Sequence, residues 1–152
     1  MFMDKKYKYD KLYMDIATRV AEMSYARRKK VGCIIVKDDR ILSIGWNGTP
    51  SGFDNTCEDE NCDGSLTTKK EVLHAEMNCL AKLTKSTESS KSSTMYVTLS
   101  PCINCAKLII QCGIERIIFK EKYHDESGIE FLFKTRLFNH MEIGEEWTEL
   151  KF

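Results

Sequence analysis

Leu12, Ile16, Val20 and Met23 fall at helical spacing and predict an amphipathic helix over Asp10 to Arg28. Val31 to Val36 (VGCIIV) is then continuously apolar and β-branched, the pattern of a buried strand. A short DDR turn leads into Ile41 to Trp46 (ILSIGW), a second strand that so tight a turn makes antiparallel to the first. From Asn47 to Lys70 the periodicity disappears into Gly, Asn, Asp, Ser and Thr, and a loop of that length is usually functional. Val72 to Thr84 reads as a helix, followed by a polar Ser/Lys/Thr linker. Thr94 to Leu99 (TMYVTL) reads as a strand, and Pro101 to Cys112 as a helix that Gly113 stops. Arg116 to Lys120 is a further strand. Ser127 to Asn139, with Phe131, Leu132, Leu137 and Phe138, is a last helix. No repeat or linker divides residues 1–152, so one domain is expected. A strand hairpin followed by strand–helix–strand–helix predicts an α/β fold, a mixed sheet covered by helices.

Composition narrows the partners. Hydrophobic residues are 42% and charged residues 30% of 152, the profile of an ordinary globule. Lys plus Arg equals Asp plus Glu at 23 each, so no overall basic field argues for nucleic acid. No apolar run is long enough to span a membrane, and the charged MFMDKKYKYDKLYMD start lacks an export core. A cytoplasmic location is therefore expected. Seven cysteines, an odd number, fit ligands and buried thiols better than a disulfide set.

The chemistry begins at VTLSPCINCAK, where a strand breaks at Ser-Pro and Cys102 and Cys105 follow at the start of a helix. Ser100 is placed to cap that helix and Pro101 suits its first turn. Helix N-terminal N–H groups favour thiolates, so the pair could be a redox dithiol, a structural zinc knuckle or half of a catalytic metal site. Upstream, HAEMN opens another helix and supplies His74. His74, Cys102 and Cys105 make three ligands for Zn²⁺ and leave a fourth position for water, as catalytic zinc sites do. Glu76, two residues on, can move protons beside the metal without being a ligand. A redox dithiol would have no use for H-A-E. The combination H-x-E with P-C-x-x-C is the signature of zinc nucleobase and nucleotide deaminases.

Beyond that signature the chain resembles deoxycytidylate (dCMP) deaminases of the zinc-dependent cytidine/deoxycytidylate family, from about Ser24 to Asp125. The resemblance rests on VGCIIV, ILSIGWNGTPSG, HAEMN, MYVTLSPCINCAKLIIQCGI and KYHD. The chain departs from the family in having MSYARRKK before Val31, and in Trp46 where Tyr is usual. The resemblance implies a three-layer α/β/α deaminase fold with a mixed five-stranded sheet. It implies hydrolysis of dCMP to dUMP and ammonia, supplying dUMP for dTMP synthesis. Homohexamers activated by dCTP and inhibited by dTTP, with Mg²⁺, are common in the family. It further implies that Asn47 contacts the deoxyribose, although Asn-Gly is also a common turn pair. Ala75 would offer backbone groups to the cytosine edge. Ser24, Arg28 and Tyr123 would hold the phosphate, with Arg27 the rival for Arg28 because the register is open there. Cys57 and Cys62 are two ligands, not four, and read as free thiols rather than a second zinc site. Cys33, Cys79 and Cys112 read as small core residues, and His124 and His140 as structural or surface. The competing functions are a deaminase of cytidine, dCTP or tRNA adenosine, and a non-catalytic binding protein on the same fold. Glu76 argues against the last, since a binding module needs no proton shuttle.

Overall fold

The computed structural model describes residues 4–135, 140–143 and 147–151. Helix α1 (Lys5–Ala21) begins earlier than its apolar periodicity, because the Asp4 side chain accepts the Lys6 N–H and caps it. It also stops earlier, so the segment from Ser24 to Arg28, expected to be helical, is a loop. The face α1 buries is Asp10, Tyr13, Met14, Ala17, Val20 and Ala21, whereas Leu12 and Met23 are about half exposed. Strands β1 (Gly32–Lys37) and β2 (Arg40–Trp46) form the expected antiparallel hairpin, with a bulge between Ile35 and Val36. The long polar stretch is not wholly irregular. It carries a small antiparallel ribbon of β3 (Glu58–Glu60) and β4 (Leu66–Thr68).

Helix α2 (Ala75–Leu83) starts three residues later than the apolar pattern, because Leu73 is extended and exchanges backbone hydrogen bonds of 2.9 and 3.1 Å with Gly48. Strand β5 (Thr94–Leu99) matches its expected span, and α3 (Ile103–Gln111) ends at Gly113, whose φ of 74° suits a residue without a Cβ. Strand β6 (Arg116–Glu121) and α4 (Ser127–Lys134) come next. Thr135 is extended and ends α4; the expected continuation through 136–139 lies outside the described residues. Strands β7 (His140–Ile143) and β8 (Thr148–Lys151) close the chain. No pattern in the sequence pointed to either.

Five strands in the order β2-β1-β5-β6-β8 make a mixed sheet, and the short β7 pairs at the β8 edge as a sixth. The β5–β6 pair is parallel and the others are antiparallel. Alternation along the strands builds a core on each face. Cys33, Ile35, Met95, Val97, Ile117 and Phe119 pack under α2, α3 and α4. Ile34, Val36, Tyr96 and Ile118 pack under α1. The result is the three-layer α/β/α arrangement, and it explains why VGCIIV is apolar throughout: both faces of β1 are covered. On the α1 face, partly buried Arg116 pairs with buried Asp10 and Glu149, and Tyr96 donates to Asp10 at 2.7 Å. Gly45 lets α2 lie directly on β2, since a Cβ there would sit 2.4 Å from the Cys79 nitrogen. Two hydrogen bonds fasten the same contact: the Ser43 hydroxyl donates to the Cys79 carbonyl and the Asn78 amide donates to the Trp46 carbonyl, each at 2.7 Å.

Candidate active site

Two helix starts converge on one point. His74 is the N-cap of α2 and Cys102 the N-cap of α3, with Glu76 and Cys105 each within the first turn. The expected cap, Ser100, does different work. Its hydroxyl accepts the Tyr123 N–H at 2.8 Å and its own N–H donates to the Glu121 carbonyl, so it anchors the loop after β6. His74 Nδ1 stands 3.4 Å from Cys102 Sγ and 3.5 Å from Cys105 Sγ, and the three ligand atoms lie within 4.8 Å of one another. Neighbouring ligands of tetrahedral zinc, each at about 2.0–2.3 Å from the ion, are separated by roughly 3.5 Å, so donor set and spacing both fit Zn²⁺. The Cys102 thiol is pulled down to about 3, first by the hydrogen bond from the Cys105 thiol, with His74 adding to it. Cys105, giving that bond and buried, is pushed up, and His74 is raised by its bond to Cys102. Two sulfurs sharing one proton beside an imidazole are a site that yields the proton to a dication.

Glu76 is buried, 4% exposed, and burial lifts its carboxyl to about 7. Such a group can take and return a proton near neutral pH. It opens, with His74 and Cys102, onto a cavity of about 390 Å³. Ala75 lines the same wall. Asn47 lines it too, and its amide is partly occupied: Oδ1 accepts the Val31 N–H and Nδ2 donates to the Lys29 carbonyl, both at 2.8 Å. One amide hydrogen and one lone pair are left for a ligand. Ser24 stands behind this wall rather than in it. It is buried, donates to the Asn47 carbonyl at 2.7 Å and accepts the Ala26 N–H.

The cavity also takes in cations, with Glu121 paired to one of them, Lys29. Arg28 and Tyr123 line it, as do Lys29, Lys122 and His124. Arg27 is not among the lining residues; it points to Glu60, 3.7 Å away, at the surface. Lys29 belongs to the RRKK run, and Lys122 and His124 flank Tyr123 in KYHD, so their neighbours carried a signal for them. His124, expected to be structural or surface, packs its ring 4.2 Å from that of Tyr123 at the cavity edge. Glu58 and Thr68 also line the cavity and had no sequence signal, because the ribbon that carries them was not foreseen. All seven cysteines are free. Cys57 is buried and Cys62 exposed, and among the described residues neither joins a group of three metal-competent side chains.

The family model of the cytidine and deoxycytidylate deaminase zinc-binding region matches residues 7–121. The chain belongs to the cytidine and deoxycytidylate deaminase family. Among this deaminase's relatives, the human deoxycytidylate deaminase is 37% identical over 131 residues, which is 80% of this chain and 70% of that one. The deoxycytidylate deaminase of Enterobacteria phage T4 is 31% identical over 147 residues, 72% of this chain and 76% of that one. A crystal structure of the dCMP deaminase from cyanophage S-TIM5, in complex with dCMP and dUMP, superposes with a TM-score of 0.77 at 42% identity. It covers 88% of this chain and 94% of that one. A tRNA:A34 deaminase matches at a TM-score of 0.57 and 22% identity, covering 83% of this chain and 89% of that one; that likeness is of the fold alone.

Proposed function

We propose that this deaminase hydrolyses dCMP to dUMP and ammonia, supplying dUMP for dTMP synthesis. The observation that carries the reading is one cavity lined by His74, Cys102 and Glu76 together with Arg28 and Tyr123, with Cys105 completing the metal triad beside it. That is a place for an aminopyrimidine beside the metal and a phosphate beside the arginine. Zinc, when bound, supplies Lewis-acid activation of a water near neutral pH. Glu76 takes the proton of the attacking water, delivers it to the ring nitrogen N3, and passes the next to the departing amine, so dCMP and water leave as dUMP and ammonia. Ala75 holds the cytosine edge through its backbone, and Asn47 binds the sugar with its remaining amide hydrogen and lone pair. Ser24 acts behind Asn47 by fixing its carbonyl, and not as a phosphate ligand. Arg28, rather than Arg27, meets the phosphate, because Arg28 is the one of the two that lines the cavity.

Residues 1–152 act in this reading as one catalytic domain. Exposed apolar side chains on α3, Ile103 and Leu108, support assembly into a homohexamer, which sedimentation finding a stable monomer at working concentration would rule out. Regulation by dCTP and dTTP with Mg²⁺ rests on the family resemblance. Among the described residues no helix is long and apolar enough to cross a membrane, and the free thiols agree with a reducing, cytoplasmic location.

The test is ammonia release from dCMP, deoxycytidine, cytidine and dCTP side by side, with and without dCTP, dTTP and Mg²⁺ as effectors. Charge-assisted hydrogen bonds contribute about 1.5–3 kcal/mol each, so two or three to the phosphate separate dCMP from deoxycytidine by several powers of ten. Deoxycytidine turned over as well as dCMP would end the monophosphate reading.

A further inference from the structure

The short ribbon in the polar stretch makes three ties to Arg28 and its neighbour. The Glu58 Oε1 accepts the backbone N–H of Arg27 at 2.9 Å and of Arg28 at 3.0 Å. The Thr68 hydroxyl accepts from Arg28 Nη1 at 3.1 Å. Glu58 and Thr68 are direct cross-strand partners in the β3–β4 register, so one rung of the ribbon grips both the backbone and the guanidinium of the same arginine. The base of the ribbon is closed by the Lys69 N–H donating to the Cys57 carbonyl at 2.9 Å.

Glu58 is 5% exposed, and its Oε2 is buried without a hydrogen-bond partner among the described residues. The contact to the loop is made by Oε1 alone, and an amide oxygen in its place could accept the same two N–H groups. Arg28 itself sits in a loop with its side chain exposed, so without the rung its long side chain would sample many rotamers and lose entropy on binding an anion.

We infer that Glu58 and Thr68 are positioning residues that hold Arg28 ready for the substrate phosphate. The guanidinium spends one of its five N–H donors on Thr68 and keeps four for the anion. The inference rests on Arg28 meeting the phosphate, and acts on binding rather than on the chemical step at Glu76. The rung is local to these strands and does not touch the metal ligands.

Steady-state kinetics of zinc-loaded Glu58→Ala, Glu58→Gln, Thr68→Val and Arg28→Ala, each on dCMP and deoxycytidine, test it, with zinc content and melting temperature measured alongside. Glu58→Ala should raise KM for dCMP tenfold or more, with kcat and the deoxycytidine kcat/KM changed less than threefold. Glu58→Gln keeps an Oε1 for both N–H groups and should stay within about threefold of the unaltered protein on both substrates. Thr68→Val, at an exposed position, should raise KM for dCMP by a smaller factor and serves should Glu58→Ala not fold. The Glu58→Ala, Arg28→Ala double variant should be no worse than Arg28→Ala, since both remove one interaction. Equal losses on both substrates, Glu58→Gln as damaged as Glu58→Ala, or unchanged dCMP KM in Glu58→Ala and Thr68→Val while Arg28→Ala raises it would overturn the inference. If Arg28→Ala itself leaves dCMP KM unchanged, the phosphate assignment has failed and the inference falls with it.

Discussion

Replacing Gly45 by Ala should disable the site without replacing any of its residues. The new Cβ would lie 2.4 Å from the Cys79 nitrogen, 2.6 Å from the Ala75 carbonyl oxygen and 2.8 Å from the Cys79 Cα. All three are backbone atoms, so no side chain can turn aside. Ordinary contact begins near 3.4 Å, about 1 Å further out, and α2 must lift off β2 by about that amount. Overpacking of this kind costs about 1–3 kcal/mol. For a chain of this length, that lowers Tm by about 2–12 °C. The functional cost is larger, because His74 and Glu76 ride on α2 while Cys102 and Cys105 ride on α3. A displacement of ~1 Å exceeds the ~0.5 Å tolerance of a preorganised site, and misplacement by that distance costs about 10²-fold in rate. The measurements are zinc per chain, Tm by calorimetry, and kcat for dCMP. Gly48→Ala is the control: its Cβ would meet nothing nearer than Trp46 Cδ1 at 4.0 Å, so stability should change by less than ~0.5 kcal/mol. A Gly45→Ala protein with unaltered Tm, zinc content and kcat would refute the reasoning.

Glu76→Gln should keep its zinc and its fold and lose activity by ~10²–10⁴ or more, read by metal analysis and single-turnover ammonia release. Cys102→Ala should lose zinc and activity together, and full activity in that variant would remove the metal assignment. Acid stability should depend on Glu149. Burial alone would raise its carboxyl, but hydrogen bonds from Arg116 and Lys6 overcome this and hold it at about 2, against an ordinary 4.5. The folded value is the depressed one, so the contribution is complete above about pH 4.5 and is lost as pH falls toward 2. It amounts to about 3 kcal/mol. Denaturant midpoints from pH 7 to pH 2 should fall steeply for the unaltered protein and less steeply for Glu149→Gln; parallel curves would contradict the pairing.

The metal triad and Glu76 were legible because their signal is local. H-A-E and P-C-x-x-C each occupy a single turn at a helix start, and ligand type with short spacing already states the chemistry. Strand and helix order were legible for a similar reason, since periodicity reports which side of a segment is covered. Roles set by contacts between distant segments were not legible. Ser100 looked like a cap, but its hydroxyl is taken by the Tyr123 backbone 23 residues away. The family resemblance implied Ser24 as a phosphate ligand, but folding turns its hydroxyl inward onto the Asn47 carbonyl. Nothing near Arg27 or Arg28 distinguishes the two in sequence; the Glu58–Thr68 rung, formed by a ribbon of only three-residue strands, is what separates them. Strand β8 is short and carries charged residues, and Glu149 is buried there only because Arg116 and Lys6 meet it from other elements. The sequence by itself determined the chemistry at the metal, where one turn of chain holds the needed groups. The tertiary structure decided which of several equivalent polar residues line the cavity, because that choice is made by partners supplied from far along the chain.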